Sequence, residues 1–247
     1  MTRSLRLGVF LTGAAGLAML LAWGLAGLPD FGHYVGPYGD IVVKLARPQR
    51  HTANAVTAIV FDYRGFDTLG EELILLAAVV GTSMLLRATR EETLEDVVDG
   101  IRSDAVRALS LVAVPAVFVL ALYVIAHGPL TPAGGFQGGV VVSAAFLLLF
   151  LGAEYRSFHT LGRATPWEVV EGVGAAGFVG LGLLSLALGL AFLENFLPLG
   201  NWGRLTSSGS IALVNWTASF AVSAGFVLVY GEFLQEAMAV RHGRAKP

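Results

Sequence analysis

Apolar and polar positions alternate along this chain in long blocks. Residues 7–29, 172–193 and 205–231 carry no charge, and residues 73–86 form a shorter apolar core that extends outward through Gly70 and two glutamates. Residues 108–153 are also uncharged and are long enough for two helices. Because about 20 consecutive apolar residues cross a bilayer as a helix, the pattern predicts an all-α polytopic membrane protein with about six transmembrane helices.

Composition supports a membrane protein. Of the 247 residues, 55% are hydrophobic and 14% are charged, whereas soluble domains carry roughly 25% charged residues. Lipid penalises charge and a soluble surface requires it. The net charge of −2 gives no indication of nucleic-acid binding. The sequence contains no cysteine, which excludes disulfides, iron–sulfur ligation and thiol chemistry within this chain.

The basic residues predict the topology. Six spans place both termini on one side, and most Lys and Arg residues near the spans lie on that same side. By the positive-inside rule both termini are expected in the cytoplasm. The apolar run at residues 7–29 exceeds the usual core of a cleaved signal peptide, so we interpret it as a signal anchor or a true span.

Two modules are predicted. Residues 1–88 hold two spans and an outer loop at residues 29–70, and residues 106–247 hold four spans. Between them, residues 89–105 are charged and place apolar residues at helical spacing, which indicates an amphipathic cytoplasmic linker.

Acidic residues cluster where the second span begins, in the stretch FDYRGFDTLGEE. One interpretation is structural. Thr68 and Glu71 have the spacing of a capping box, Asp67 suits a helix N-terminus, and Arg64 can neutralise a neighbouring carboxylate. Asp62 belongs to the same cluster.

The other interpretation of this cluster is functional. Glu71 would face a hydrated interior, with Ala78 and Thr82 after it on the same helical face. A carboxylate there can bind Na⁺ or relay a proton, since acids inside a bilayer are costly and tend to be functional. Glu72 is the weaker candidate.

The stretch HGPLTPAGGFQGG interrupts the long uncharged run at residues 127–139. In the structural interpretation, which composition favours, Thr131 caps the fourth span and Pro132 takes its first position. In the functional one, exposed backbone lines a wet passage, with His127 and Gln137 supplying side-chain partners. The residues expected to allow close helix packing are Gly134, Gly135, Phe136, Gly138 and Gly139.

Other polar residues have simpler interpretations. Asn215, with two serines at helical spacing after it, predicts a polar seam that faces other helices. Asn195 is expected to cap the fifth span, and Glu168 and Glu171 to be solvated acids at its start. The sequence contains no phosphate loop, metal-ligand spacing or catalytic triad, which predicts a protein that is not an enzyme and needs no cofactor.

Two long motifs resemble a known family. HGPLTPAGGFQGGVVVSAAFLLLFLG, followed by NFLPLG and SSGSIALVN, resembles the signature of the MnhB family, the B-type component of Mrp-type multisubunit Na⁺/H⁺ antiporters. NAVTAIVFDYRGFDTLGEE is similar to the E-type component of membrane-bound hydrogenases, which also forms the C-terminal end of the large A-type component of Mrp antiporters. The chain therefore resembles a fusion of the two modules.

The resemblance implies a component of a complex in a prokaryotic cell (inner) membrane that contacts lipid and the other Mrp membrane subunits and helps to move Na⁺ and H⁺. Glu71 matches the candidate ion carrier of the family, and Asp62, Asp67 and His127 match further motif positions. Pro129 stands where many relatives have a second His, so a mechanism that needs that His is not expected. The alternatives are an ion-translocating subunit of a redox-driven complex, such as a membrane-bound hydrogenase, and a purely structural scaffold.

Overall fold

The computed structural model describes residues 3–28, 32, 36–87, 103–161 and 164–243. Within these ranges the chain is helical and contains no strand. The helices are α1 (Arg3–Ala26), α2 (Pro37–Arg50), α3 (Ala55–Ala58), α4 (Gly65–Arg87), α5 (Asp104–Ala126), α6 (Gly135–Leu161), α7 (Ala164–Ala187) and α8 (Ser210–Gly243). A π-helical turn, Ile59–Tyr63, joins α3 to α4.

Six of these helices are long and apolar enough to cross a membrane, namely α1, α4, α5, α6, α7 and α8. The predicted all-α class and six spans are therefore confirmed for the described residues. Several boundaries differ from the prediction. Residues 29–70 were expected to form a loop, yet they contain α2 and α3, and α4 already begins at Gly65. The fifth span ends at Ala187 rather than near residue 193.

The chain divides into two compact units, residues 1–41 and 42–247. In the first unit, α1 buries none of its own residues. The second unit joins α4 to the four helices of residues 106–247. The predicted division into modules near residue 88 stays a prediction. The predicted amphipathic linker at residues 89–105 lies mostly outside the described residues, which resume at Ser103.

Helix α8 forms the centre of the second unit. It packs against α4, α5, α6 and α7, and 67% of its most apolar part is buried, compared with 17% for α4 and for α5. The segments around residues 51–64, 127–134 and 188–209 meet at one end of the bundle through hydrogen bonds. We call this the motif end, and the other end the opposite end.

Two apolar clusters hold this arrangement. One lies near the motif end and joins the π-helical turn, α4, α7 and α8; its buried members are Phe61, Leu69, Phe178, Leu193, Ile211, Val214 and Ala218. The other joins α5 to α6 through Ala121, Ile125 and Val142.

Candidate functional site

The turn after α5 is fixed by the segment that precedes α3. The Thr52 hydroxyl donates to the Pro129 carbonyl oxygen over 2.6 Å, and the backbone N–H groups of Ala53 and Asn54 donate to the same oxygen over 3.0 and 3.1 Å. The Thr57 hydroxyl donates to the Gly128 carbonyl oxygen over 2.8 Å. These carbonyl groups are therefore satisfied by protein.

The side chain of Asn54 lies among further carbonyl groups of the same turn. Its amide nitrogen is 2.9 Å from the Gly128 oxygen, 2.7 Å from the Thr131 oxygen and 3.0 Å from the Ala133 oxygen. The amide has two hydrogens, so it shares them among these acceptors. The expectation that this backbone lines a wet passage is not met, because a buried amide occupies the space where water would lie.

The start of α6 differs from the predicted cap. The helix begins at Gly135, so Thr131 and Pro132 lie in the turn before it, and the Thr131 hydroxyl lies 3.4 Å from the His127 carbonyl oxygen. The Gly135 N–H instead donates to the side-chain oxygen of Asn215 over 2.6 Å. Thus the N-terminal N–H of α6 is satisfied by a residue of α8.

The glycines of the motif permit close helix contact, as predicted. A Cβ atom at Gly135 would overlap the backbone oxygen of Asn215, and one at Gly138 would overlap the Ile125 side chain. A Cβ atom at Gly139 would lie 2.9 Å from the Val222 Cβ. A Cβ atom at Gly134 would meet the side chain of Gln137, within the motif itself.

The remaining motif candidates lie further from the helix contacts. His127 ends α5, with its Nδ1 3.0 Å from the Tyr123 carbonyl oxygen and its ring stacked on the Tyr123 ring at 3.9 Å. Phe136 and Gln137 are exposed on the surface of this chain. These three residues do not contribute to the buried helix contacts of the glycines.

Asn215 begins the predicted polar seam of α8, and the two serines after it are buried with it. Its amide donates to the Ile125 carbonyl oxygen over 2.8 Å, so the seam faces neighbouring helices as predicted. Asn195, however, caps α8 rather than the fifth span, because its side-chain oxygen accepts from the Ser210 N–H over 2.8 Å.

Two ion pairs lie near the start of α4. Arg50 pairs with Asp62, whose side chain is buried, and burial raises the pKa of Asp62 although the Arg50 guanidinium acts in the opposite direction. Arg64 pairs with Asp67 on the surface, so the predicted neutralisation of a carboxylate by Arg64 is confirmed. The predicted capping box is wrong, because Thr68 already lies inside α4 and its hydroxyl donates to the Val60 carbonyl oxygen over 2.6 Å.

The two glutamates of α4 point in different directions. Glu72 is 2% exposed, and neither of its side-chain oxygens has a hydrogen-bond partner among the described residues. Glu71 and Ala78 are exposed on the surface of this chain, and Thr82 is half-buried. The structure therefore reverses the expected order, because a step of one residue turns a helix by about 100° and moves the carboxylate to another face.

A second buried carboxylate lies on α7. Glu171 is 5% exposed, and its Oε1 atom has no hydrogen-bond partner in the described part of the chain. The prediction that it is a solvated acid is wrong, because α7 begins at Ala164 and Glu171 lies two turns inside the helix. Oε1 lies against Gly225 of α8, where a Cβ atom would be 3.1 Å away. Glu232 of α8 is also buried, and the sequence analysis did not identify it.

A cavity of about 330 Å³ adjoins Glu171 between α4, α7 and α8. Its polar lining residues are Ser83, Glu168 and Glu171, and the others are mainly apolar. Among the described residues, no group of three or more His, Asp or Glu could hold a metal ion. The interior therefore offers isolated carboxylates of the kind that bind a proton or a monovalent cation.

Comparison with known proteins identifies relatives over most of the chain. An uncharacterized protein of Methanocaldococcus jannaschii is 30% identical over 200 residues, which are 70% of this chain and 73% of that protein. A probable K⁺/H⁺ antiporter protein of Rhizobium meliloti, which combines the A and B components, is 27% identical over 164 residues. That match covers 58% of this chain but 16% of the antiporter protein.

Two solved structures contain similar chains. A chain of the membrane-bound sulfane sulfur reductase, an archaeal respiratory membrane complex, is 29% identical with a TM-score of 0.69, and the match covers 93% of this chain and 98% of that chain. A chain of the Mrp complex from Dietzia sp. has the same fold, with a TM-score of 0.71 and 22% identity, over 94% of this chain and 26% of that chain.

The family assignment comes from the four-span part of the chain. Residues 105–228 match the family described as a domain related to the MnhB subunit of Na⁺/H⁺ antiporters. These residues include the glycine motif, Glu171 and most of α8. The chain therefore belongs to the MnhB-related family.

Proposed function

We propose that this chain is a membrane subunit of an Mrp-type cation/proton antiporter and that its buried carboxylates form part of the ion path. The resemblance to a fused E-type module, the cytoplasmic termini and the location in a prokaryotic cell membrane belong to the same proposal. In this topology the motif end faces outward, and the partners are the other membrane subunits of the complex.

Glu72 is the observation that carries the proposal. A carboxylate buried inside a membrane-spanning helix is costly to retain, and the cost is greatest when no hydrogen bond compensates it. Glu72 is buried in α4 and lacks such a bond within the described residues. A carboxylate in this position changes its charge balance by taking up a proton or a monovalent cation, and this exchange is what an antiporter requires.

Glu71 extends the proposed path toward a neighbouring subunit. It follows Gly70 directly before Glu72 and is exposed on the surface of this chain, where a partner subunit would cover it. Two carboxylates on adjacent faces of one helix allow an ion to pass between the interior of this chain and an interface. Asp62, Asp67 and His127 lie near the motif end and are the weaker candidates for this path.

The test is transport by the assembled complex in proteoliposomes. We expect Glu72→Gln and Glu71→Gln to abolish Na⁺-driven proton movement, because glutamine binds neither ion. Glu194→Gln is the matched control, since Glu194 is an exposed acid in the segment between α7 and α8. Wild-type transport by an assembled Glu72→Gln complex would contradict the proposal, and wild-type transport by Glu71→Gln would remove Glu71 from the path.

A second candidate function follows from the match to the sulfane sulfur reductase complex, which covers nearly the whole of the matched chain. In a redox-driven complex this chain would carry ions while distant subunits carry out the electron chemistry. Purification through a tag on this chain separates the two functions. Recovery of only hydrophobic antiporter subunits supports the antiporter, and recovery of iron–sulfur or nickel proteins supports the redox-driven complex.

A further inference from the structure

We infer that the cavity between α4, α7 and α8 is a binding site for a monovalent metal cation, with Glu171 as its charged ligand. The inference rests on the proposed function and adds a second ion site to it. Glu72 does not line this cavity. Val79, which does, follows Glu72 by seven residues on α4, about 10 Å along the helix axis.

The first argument is the state of the Glu171 side chain. It is 5% exposed, and its Oε1 atom has no hydrogen-bond partner among the described residues. Leu75, Val79 and Gly225 form an apolar wall around that oxygen. The cavity is the polar side of this environment, so a ligand in the cavity is what would satisfy the oxygen.

The second argument is space. The cavity holds about 330 Å³, and a water molecule in the liquid takes up about 30 Å³. The cavity therefore has room for a cation together with several of its waters, whereas a proton alone needs no such volume. Gly225 provides part of this room, because a side chain there would press on the Glu171 carboxylate.

The third argument is the chemistry of the lining. Glu171 offers a carboxylate, Ser83 a hydroxyl, and Glu168 a second carboxylate at the edge of the cavity. Oxygen ligands of this kind suit hard cations. The residues described include no group of three acids or histidines, which a tightly held divalent ion would need. Few protein ligands and retained water favour a monovalent ion that binds weakly enough to leave.

The position of the site gives it a separate role from Glu72. Val79 of α4 and Gly225 of α8 lie beside Glu171, on the side of Glu72 that leads to the opposite end of the bundle. With the proposed topology, the cavity is the ion site nearer the cytoplasm. An ion that occupies it is held before or after its exchange at Glu72.

The test measures binding without an ion gradient. The purified complex is treated in detergent with dicyclohexylcarbodiimide, which modifies carboxylic acids in apolar surroundings, at increasing NaCl with choline chloride keeping the ionic strength constant. Mass spectrometry then gives the modified fraction of Glu171. We expect Na⁺ to protect Glu171 with a saturable dependence, and choline to give no protection.

Two variants sharpen the test. Ser83→Ala removes one oxygen ligand, and we expect it to raise the half-protecting Na⁺ concentration about fivefold. Glu236→Gln, a half-buried acid of α8 outside the cavity lining, is the control and is expected to leave the protection of Glu171 unchanged.

The outcomes are distinct from those of the transport test. No protection of Glu171 by Na⁺, K⁺ or Li⁺ overturns the cation site, and protection by a change of pH alone would make Glu171 a proton carrier instead. Protection of Glu171 in a complex whose transport survives Glu72→Gln would support the cavity while contradicting the proposed function.

Discussion

Replacing Asn215 with alanine tests how the motif end is held together. Asn215 is buried, accepts a hydrogen bond from the Gly135 N–H and donates one to the Ile125 carbonyl oxygen. The consequences for the two partners differ. The Ile125 oxygen keeps a second bond from the Gly128 N–H at 3.1 Å, whereas the Gly135 N–H is at a helix N-terminus and has no carbonyl partner within its own helix.

The magnitude follows from this difference. A buried donor left without a partner costs about 1–3 kcal/mol, and an ordinary hydrogen bond between membrane helices contributes about 0.6 kcal/mol. The first value applies to Gly135 and the second to Ile125, so we expect Asn215→Ala to lower the free energy of unfolding by about 2–3 kcal/mol.

Unfolding of the purified protein in mixed detergent micelles, titrated with sodium dodecyl sulfate, measures this difference. Asn201→Ala is the control, because Asn201 is an exposed asparagine in the segment between α7 and α8. A loss below about 0.6 kcal/mol, the value of one bond between membrane helices, or a loss equal to that of the control would refute the reasoning. The Gly135 N–H would then have another partner.

Three further predictions use the same protein. Gly135→Ala is expected to lower the yield of folded protein and its melting temperature strongly, because its Cβ atom would overlap backbone, whereas Gly172→Ala meets nothing within 4 Å and should melt like the wild type in the same thermal scan. Burial raises the pKa of Asp62, so the folded state binds its proton more readily, and lowering the pH toward the unfolded value should stabilise the wild type relative to Asp62→Asn. Unfolding curves at several pH values measure this, and a constant difference between the two proteins would contradict it. Asn195→Ala removes the cap on Ser210 and should cost about 1 kcal/mol; equal detergent titrations for variant and wild type would show that the cap contributes nothing.

The six spans could be predicted from the sequence because charge is excluded from long stretches of a membrane helix. The ends of the spans were less predictable, since charged residues were taken as boundaries. Helices α4 and α7 begin before their acids, at Gly65 and Ala164. An acid inside a span and an acid at its edge give the same local pattern, and Glu171 was misassigned for this reason.

The inward face of a membrane helix is also poorly encoded. In a soluble protein the polar side of a helix faces water, but lipid and protein interior are both apolar. Glu71 and Glu72 lie among apolar residues on every side of α4, so hydropathy does not determine which of them is buried. The bond from Gly135 to Asn215 joins residues 80 positions apart, and no local pattern indicates such a partner.

The hydrogen bonds at the motif end also set an order of events during synthesis. Asn54 bonds to Gly128, 74 residues later, and His51 contacts Gly200, 149 residues later. At about 5–20 residues per second, these partners leave the ribosome about 4–15 s and about 7–30 s after the segment that needs them. Helix α4, with Glu72 on its inward face, therefore enters the membrane well before α8 exists to cover it. The earliest part of the compact unit is fixed in place by residues made near the end of translation.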